Sequence, residues 1–318
     1  MGVAFGSESD LYSFPNGHPL NNLRTASFAA SLRTLSALSR NITTVSPVPA
    51  NEENLLLFHT PEYVNFVKSS SEAGTGYLDY GDTPSFKGVY EASLFSVGSS
   101  LEGVRQIDEG KLDHFFNPVG GFHHARREKA GGFCVFNDAA IAIEKTLRMQ
   151  GYDRVAYVDI DAHHGDGIFY GFEDDARVII GDIHEDGRYL YPGTGLSGEK
   201  GRGPAEGTKL NISLAPLSGD EEFEIAFDHI ESFVRDSKPN FIFFQCGADG
   251  LDGDPLTHLK YTAKSHAYAA RKLHKLAHDI CEGRILAMGG GGYNAANVDL
   301  AWMKVLEELS SESPYKKI

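Results

Sequence analysis

The sequence has few cysteines, no long apolar run and no surplus of positive charge, and each shortage removes a class of protein. Its 318 residues include three cysteines, Cys134, Cys246 and Cys281, odd in number and far apart. They read as buried thiols of a reducing compartment rather than as a disulfide framework. No apolar stretch reaches the roughly 18 residues that a membrane span needs. The opening MGVAFGSESDLYSF lacks a basic segment followed by an apolar one. No signal peptide is therefore expected, and the chain reads as cytoplasmic. Lys and Arg number 29 against 44 Asp and Glu, a formal charge of −15. That field repels phosphate backbones, so direct nucleic-acid binding is not expected, whereas a cationic protein or amine is attracted. With no repeat, low-complexity tract or long linker, residues 1–318 read as a single domain with a loose tail from about 310.

What is present is an alternation of buried strands and amphipathic helices. Residues 154–160, 178–183, 241–246 and 284–288 are short, near-continuous apolar runs, with 114–119 a fifth. Runs of this kind suit central parallel strands covered on both faces. Asn137 or Asp138 is placed to cap a helix that precedes Gly151. Phe223, Phe227, Ile230 and Val234 mark a second helix over 221–236, and a third runs from Thr262 to just before Gly283. The pattern predicts an α/β fold, a three-layer sandwich around a mostly parallel sheet.

In such folds the chemistry collects at the carboxyl ends of the strands. Four predicted strands are followed there by reactive side chains: His123-His124, the run Asp159 to Asp166, Asp249, and the glycines 289–292 with Tyr293. If the chain stays extended past 159, then Asp159, Asp161 and His163 project to one side. Asp161 and His163 can then share an ion with Asp249, leaving positions open for water and substrate. The oxygen-rich donor set admits zinc, with iron(II) or cobalt(II) as substitutes. Asp159 and Asp166 remain as partners for the histidine rings. Such a pair can take a proton from a metal-activated water and return one to a departing amine. The glycine run, Gly291 included, lets the backbone pass close to a pocket, with Tyr293 aimed at a developing oxyanion. It lacks the spacing of a phosphate loop. His274 and His278, near Arg271, Lys272 and Lys275, read as a solvated helix face, and Cys134 as a packed thiol.

These residues, in this order, resemble the histone deacetylase superfamily, which includes acetoin-utilisation proteins and acetylpolyamine amidohydrolases. The likeness runs through GHPL at 17–20, FHTPEYV at 58–64, GDTP at 81–84, GGFHHA at 120–125 and GGFCVFND at 131–138. It continues through VDIDAHHGDG at 158–167, YPGTG at 191–195, QCGAD at 245–249, GDPL at 253–256 and GGGGYN at 289–294. It implies an arginase-like fold with Asp161, His163 and Asp249 on the metal. His123 and His124 would act as general base and acid beside Asp159 and Asp166, with Tyr293 polarising the acyl carbonyl. Phe133 and Tyr191 would wall an acyl-lysine tunnel lined by Gly132, with Asp82 at the rim and Arg24 at the foot. The family also binds potassium, which would fall here to Asp159, the main-chain oxygens of Asp161 and His163, and the matching residues Asp182 and Ile183.

Tyr191 stands where phenylalanine is common and Asp182 where serine is common. Leu256 stands where polyamine-selective members can carry glutamate, which favours an acyl-lysine protein or peptide over an acetylpolyamine or another small acylated amine. Two rivals remain. A binuclear manganese ureohydrolase needs a second carboxylate-rich strand end, where GADGLDGDP offers alanine and glycine beside Asp249. A non-catalytic acyl-lysine binder would be marked by loss of His124 or Tyr293, and both are present.

Overall fold

A computed structural model describes residues 1–38 and 41–312. Eight strands form one sheet: β1 (Gly2–Ala4), β2 (Thr43–Val45), β3 (His114–Asn117), β4 (Val155–Asp159), β5 (Val178–Glu185), β6 (Lys209–Leu214), β7 (Phe241–Gln245) and β8 (Ile285–Met288). Their spatial order is β2-β1-β3-β8-β7-β4-β5-β6, and every pairing is parallel. The expected parallel α/β sandwich is present. The four strands whose exits carry the predicted chemistry are neighbours, β3-β8-β7-β4. The chain crosses from β3 over two strand positions to β4, and a crevice forms at such a switch.

The strands are apolar because both faces are covered. Phe115, Tyr157, Ile180, Phe243 and Leu286 face one core, shared with Val64, Val67, Val97 and Ile141. Phe116, Val158, Ile242, Phe244 and Ala287 face the other, shared with Phe28, Phe223, Leu273 and Trp302. The helices end where local chemistry demands. Asn137 accepts the Ala140 amide at 2.9 Å and so is the cap of helix Asp138–Thr146. Thr262 caps helix Ala263–Ile280 through the Lys264 amide at 3.2 Å. Helix Asp220–Ser237 stops at Lys238, which is left-handed and precedes Pro239. Helix Ala295–Leu309 closes the described chain with a turn at Ser310. Of the expected tail, residues 313–318 lie outside the described residues. No described helix is long and apolar enough to cross a membrane.

Candidate active site

β4 ends at Asp159, and the chain bends through residues 161–163 rather than staying extended. The bend still turns Asp161 and His163 to one point, where Asp249 joins them from beyond β7. His163 Nδ1 lies 3.1 Å from Asp161 Oδ1 and 3.0 Å from Asp249 Oδ2. Donor atoms of all three fall within 4.8 Å of one another. The other carboxylate oxygens are fixed by protein donors. Gln245 Nε2 donates to Asp161 Oδ2 at 2.8 Å, the Gly291 amide to the same atom at 2.7 Å, and the Ala162 amide to Asp249 Oδ1 at 2.8 Å. Two glycines make this crowding possible. A Cβ on Gly247 would stand 2.1 Å from Asp161 Oδ2, and one on Gly291 would stand 2.2 Å from Asp249 Oδ2. Gly291, expected to bring the backbone close to the pocket, brings it against the Asp161 and Asp249 carboxylates.

Electrostatics argue that this trio wants a cation. Burial opposes charge on all three, and the nearby Asp161 charge helps push Asp249 up to about 7. Against burial, Asp161 and Asp249 raise His163 to about 10. Two crowded carboxylates and one imidazole, almost wholly buried, fit a borderline divalent ion with open positions.

The histidine pair is positioned by Asp138. Its carboxylate accepts the Gly121 amide at 3.0 Å, the Phe122 amide at 2.9 Å and the Ser100 hydroxyl at 2.6 Å, pinning the loop after β3. His123 Nδ1 meets Asp159 Oδ2 at 2.8 Å, and His124 Nδ1 meets Asp166 Oδ1 at 2.8 Å. Tyr157 donates its hydroxyl to Asp159 at 2.7 Å, and Arg126 braces Asp166 at 2.7 Å. With both Nδ1 atoms donating to carboxylates, the two Nε2 atoms face each other 3.1 Å apart. Only one proton fits between them. Burial disfavours both charged rings, but Asp159 and Asp161 raise His123 to about 9. Burial and the His123 charge lower His124 to about 4. The resting proton therefore belongs to His123.

His123, His124, Asp161, Gly132, Gly291 and Tyr293 line one cavity with room for about a single water. Burial raises the Tyr293 phenol well above its ordinary value, so it stays a hydrogen-bond donor. Its backbone amide donates to Asp254 at 2.7 Å. Arg24 is buried at the foot and donates to the Gly290 carbonyl at 2.6 Å. Phe133 stands edge-on to Tyr293 at 5.7 Å, and Tyr191 edge-on to His124 at 5.0 Å. A Cβ on Gly132 would meet His124 at 2.3 Å. Asp82 and Tyr191 border an outer cleft of about 300 Å³ that reaches His124. Leu256 lies outside the residues lining either space, its amide held by Asp254 at 2.9 Å. Cys134 is buried, and burial pushes its thiol up, so it is inert.

Of the residues suggested for potassium, the Asp182 and Asp159 carboxylates already have protein partners. Asp182 Oδ1 lies 2.6 Å from His184 Nδ1, and its Oδ2 accepts the Gly165 amide at 2.9 Å. Asp182 raises His184 above its ordinary value despite burial, so that carboxylate is already engaged by the ring. Asp159 is likewise engaged by His123 and Tyr157. One expectation is overturned on the far edge of the sheet. His274 is 5% exposed, not solvated, because its helix face packs on the start of β3.

Gln245, Asp138, Asp254 and Gly247 lie within the motifs that carry the resemblance, but the sequence assigned none of them a part in the site. Besides its place in QCGAD, the signal for Gln245 is a polar residue closing an apolar strand.

Residues 18–309 match the histone deacetylase domain family. The acetoin utilization protein AcuC of Bacillus subtilis is 39% identical over 96% of this chain and 81% of its own. A probable deacetylase of Archaeoglobus fulgidus is 36% identical over 92% and 81%. The histone deacetylase RPD3 of Saccharomyces cerevisiae is 31% identical over 94% and 70%. Among solved structures, the HDA15 HD domain superposes with a TM-score of 0.89 at 27% identity, covering 100% of this chain and 90% of that one. With the likeness spanning the sheet and all four strand exits, this chain belongs to the histone deacetylase family.

Proposed function

We propose that residues 1–318 form one catalytic domain that hydrolyses the amide of an acyl-lysine, acetyl-lysine foremost, in a protein or peptide. Asp161, His163 and Asp249 would hold one zinc ion, with iron(II) or cobalt(II) as substitutes. Such an ion, when bound, polarises the acyl carbonyl and acidifies a water. The observation that carries the reading is the convergence of that ligand set, a facing imidazole pair and a phenol on a cavity scarcely larger than a water.

The chain's own residues divide the remaining work. In the reverse of the order that the resemblance implies, His124 Nε2, neutral because His123 holds the shared proton, accepts a proton from the attacking water. Asp166 and Arg126 keep that ring oriented throughout. The pair then delivers a proton to the departing amine nitrogen, and Asp159 stabilises His123 as its charge changes. Tyr293 donates its hydroxyl to the carbonyl oxygen as charge builds there. Phe133 and Tyr191 flank the approach with aromatic surface suited to an aliphatic stem, and Asp82 at the rim meets the substrate backbone. The names of the yeast and archaeal relatives fit a deacetylase, and Leu256 offers no charge to a second ammonium. Potassium, if bound near Asp182, is given no part in the reaction.

A panel of acetyl-lysine peptides and acetylpolyamines, each with Zn(II) and with Fe(II), tests this. Turnover of the peptides is expected. Turnover of polyamines alone would reassign the substrate, and no turnover of either would favour a binding protein.

A further inference from the structure

A second group of histidines lies on the sheet edge opposite the pocket. His114 opens β3, whose other end leads to the catalytic loop, and it sits beside Ile285 at the start of β8. His274 and His278 are one turn apart on helix Ala263–Ile280. The three rings meet edge to face or tilted, with centroids 4.9 Å apart for His114 and His274, 5.2 Å for His114 and His278, and 4.8 Å for His274 and His278. One nitrogen from each lies within 4.8 Å of the others.

Two features set this group apart from ordinary packed histidines. His114 is 3% exposed and His274 5%, yet neither nitrogen of either ring completes a hydrogen bond. The carbonyl of Gly283 faces His114 and that of Leu309 faces His274, at best as weak acceptors outside good hydrogen-bond geometry. Buried polar atoms in native proteins nearly always find partners, so two touching rings with no well-formed hydrogen bond between them are suited to a ligand. Burial and the neighbouring rings hold His114 down at about 3 and His274 at about 4, which leaves both with a free lone pair at neutral pH. The group is also reachable. It borders an open cleft of about 1040 Å³ whose walls carry Asp108, Asp113, Glu282 and Glu312 against Arg284 and the Met1 ammonium. A cation is favoured there. Gly283 makes the geometry possible, since a Cβ on it would press within 2.7 Å of His278 Cε1.

We propose that His114, His274 and His278 form a second metal site, for a borderline cation such as Zn²⁺, Co²⁺, Ni²⁺ or Cu²⁺. Three imidazoles suit these ions, and the cleft leaves a fourth position for water or a carboxylate. Zinc–nitrogen bonds of about 2.1 Å require the nitrogens to close to roughly 3.4 Å. A rotation of His278, at the half-buried end, supplies that closure. The ion would tie the first residue of β3 to the helix that covers it, and would take no part in amide hydrolysis. The site stands apart from a binuclear ureohydrolase arrangement, which would set both ions at the catalytic edge.

The test is zinc stoichiometry of tag-free protein, measured by elemental analysis after reconstitution and removal of loose metal. Wild type is expected to hold two ions per chain and His278→Gln one, with turnover of an acetyl-lysine peptide unchanged. His163→Ala is expected to keep one ion. Loaded with Co²⁺, that variant should show tetrahedral absorption that disappears on adding His278→Gln. One ion in wild type, or two retained in His278→Gln, overturns the proposal. Should His163→Ala fail to fold, the wild-type and His278→Gln comparison decides alone, with peptide turnover reporting the fold.

Discussion

The two edges of the sheet use histidine in opposite ways. At the carboxyl edge, His123, His124 and His163 each have a carboxylate within 3.1 Å of a ring nitrogen. At the amino edge, His114 and His274 are equally buried and have none. A carboxylate behind an imidazole fixes its tautomer and orientation and lets it hold a proton in a dry pocket. Without one, burial keeps the ring neutral, and it can only pack or bind a metal. In the proposed function, that difference separates groups that move protons from groups that do not, within one parallel sheet.

The largest effect should come from breaking the trio at the catalytic edge. His163→Ala is expected to lower turnover by about 10³-fold or more, several kcal/mol of transition-state stabilisation. It should also lose the catalytic ion, and retention of that ion by metal analysis would remove His163 from the ligand set. Tyr293→Phe should cost about 10²-fold in kcat with metal content intact, since a single oxyanion donor is removed. Unchanged kcat takes the phenol out of the mechanism. Asp166→Asn tests the carboxylate backing itself. Turnover is expected to fall by about 10- to 100-fold with little change in KM. A rise in KM alone would make Asp166 a packing residue. The smallest effect belongs to the amino edge. Zinc in excess should raise the Tm of His163→Ala by a few degrees through mass action, and His278→Gln should abolish that rise. Equal shifts in both would show that the amino edge binds nothing.

The carboxyl edge was largely legible because strand exits are local signals. The apolar runs located β3, β4, β5, β7 and β8, and the reactive residues follow within a few positions of the strands. The remaining strands were not. β1 and β2 have three residues each, too few to show a period, and β6 mixes Lys209 and Asn211 with its apolar side chains. Lys209 is nonetheless buried, its ammonium taken up by carbonyls of Asp175 and Val178. The contacts of Asp138, Gln245 and Gly247 join segments distant in the chain, and no spacing announces them. His274 was misread for a different reason. Arg271, Lys272 and Lys275 suggested solvent, whereas Ala267, Ala270, Leu273 and Ala277 mark the buried face that His274 shares. Tracking the face rather than the neighbours would have found it.

Anomalous diffraction at the zinc absorption edge, from crystals of the zinc-reconstituted protein, tests the central claim most directly. The account predicts a peak bounded by Asp161, His163 and Asp249, next to the paired imidazoles and Tyr293. A zinc-saturated crystal with no density among those three side chains would contradict it.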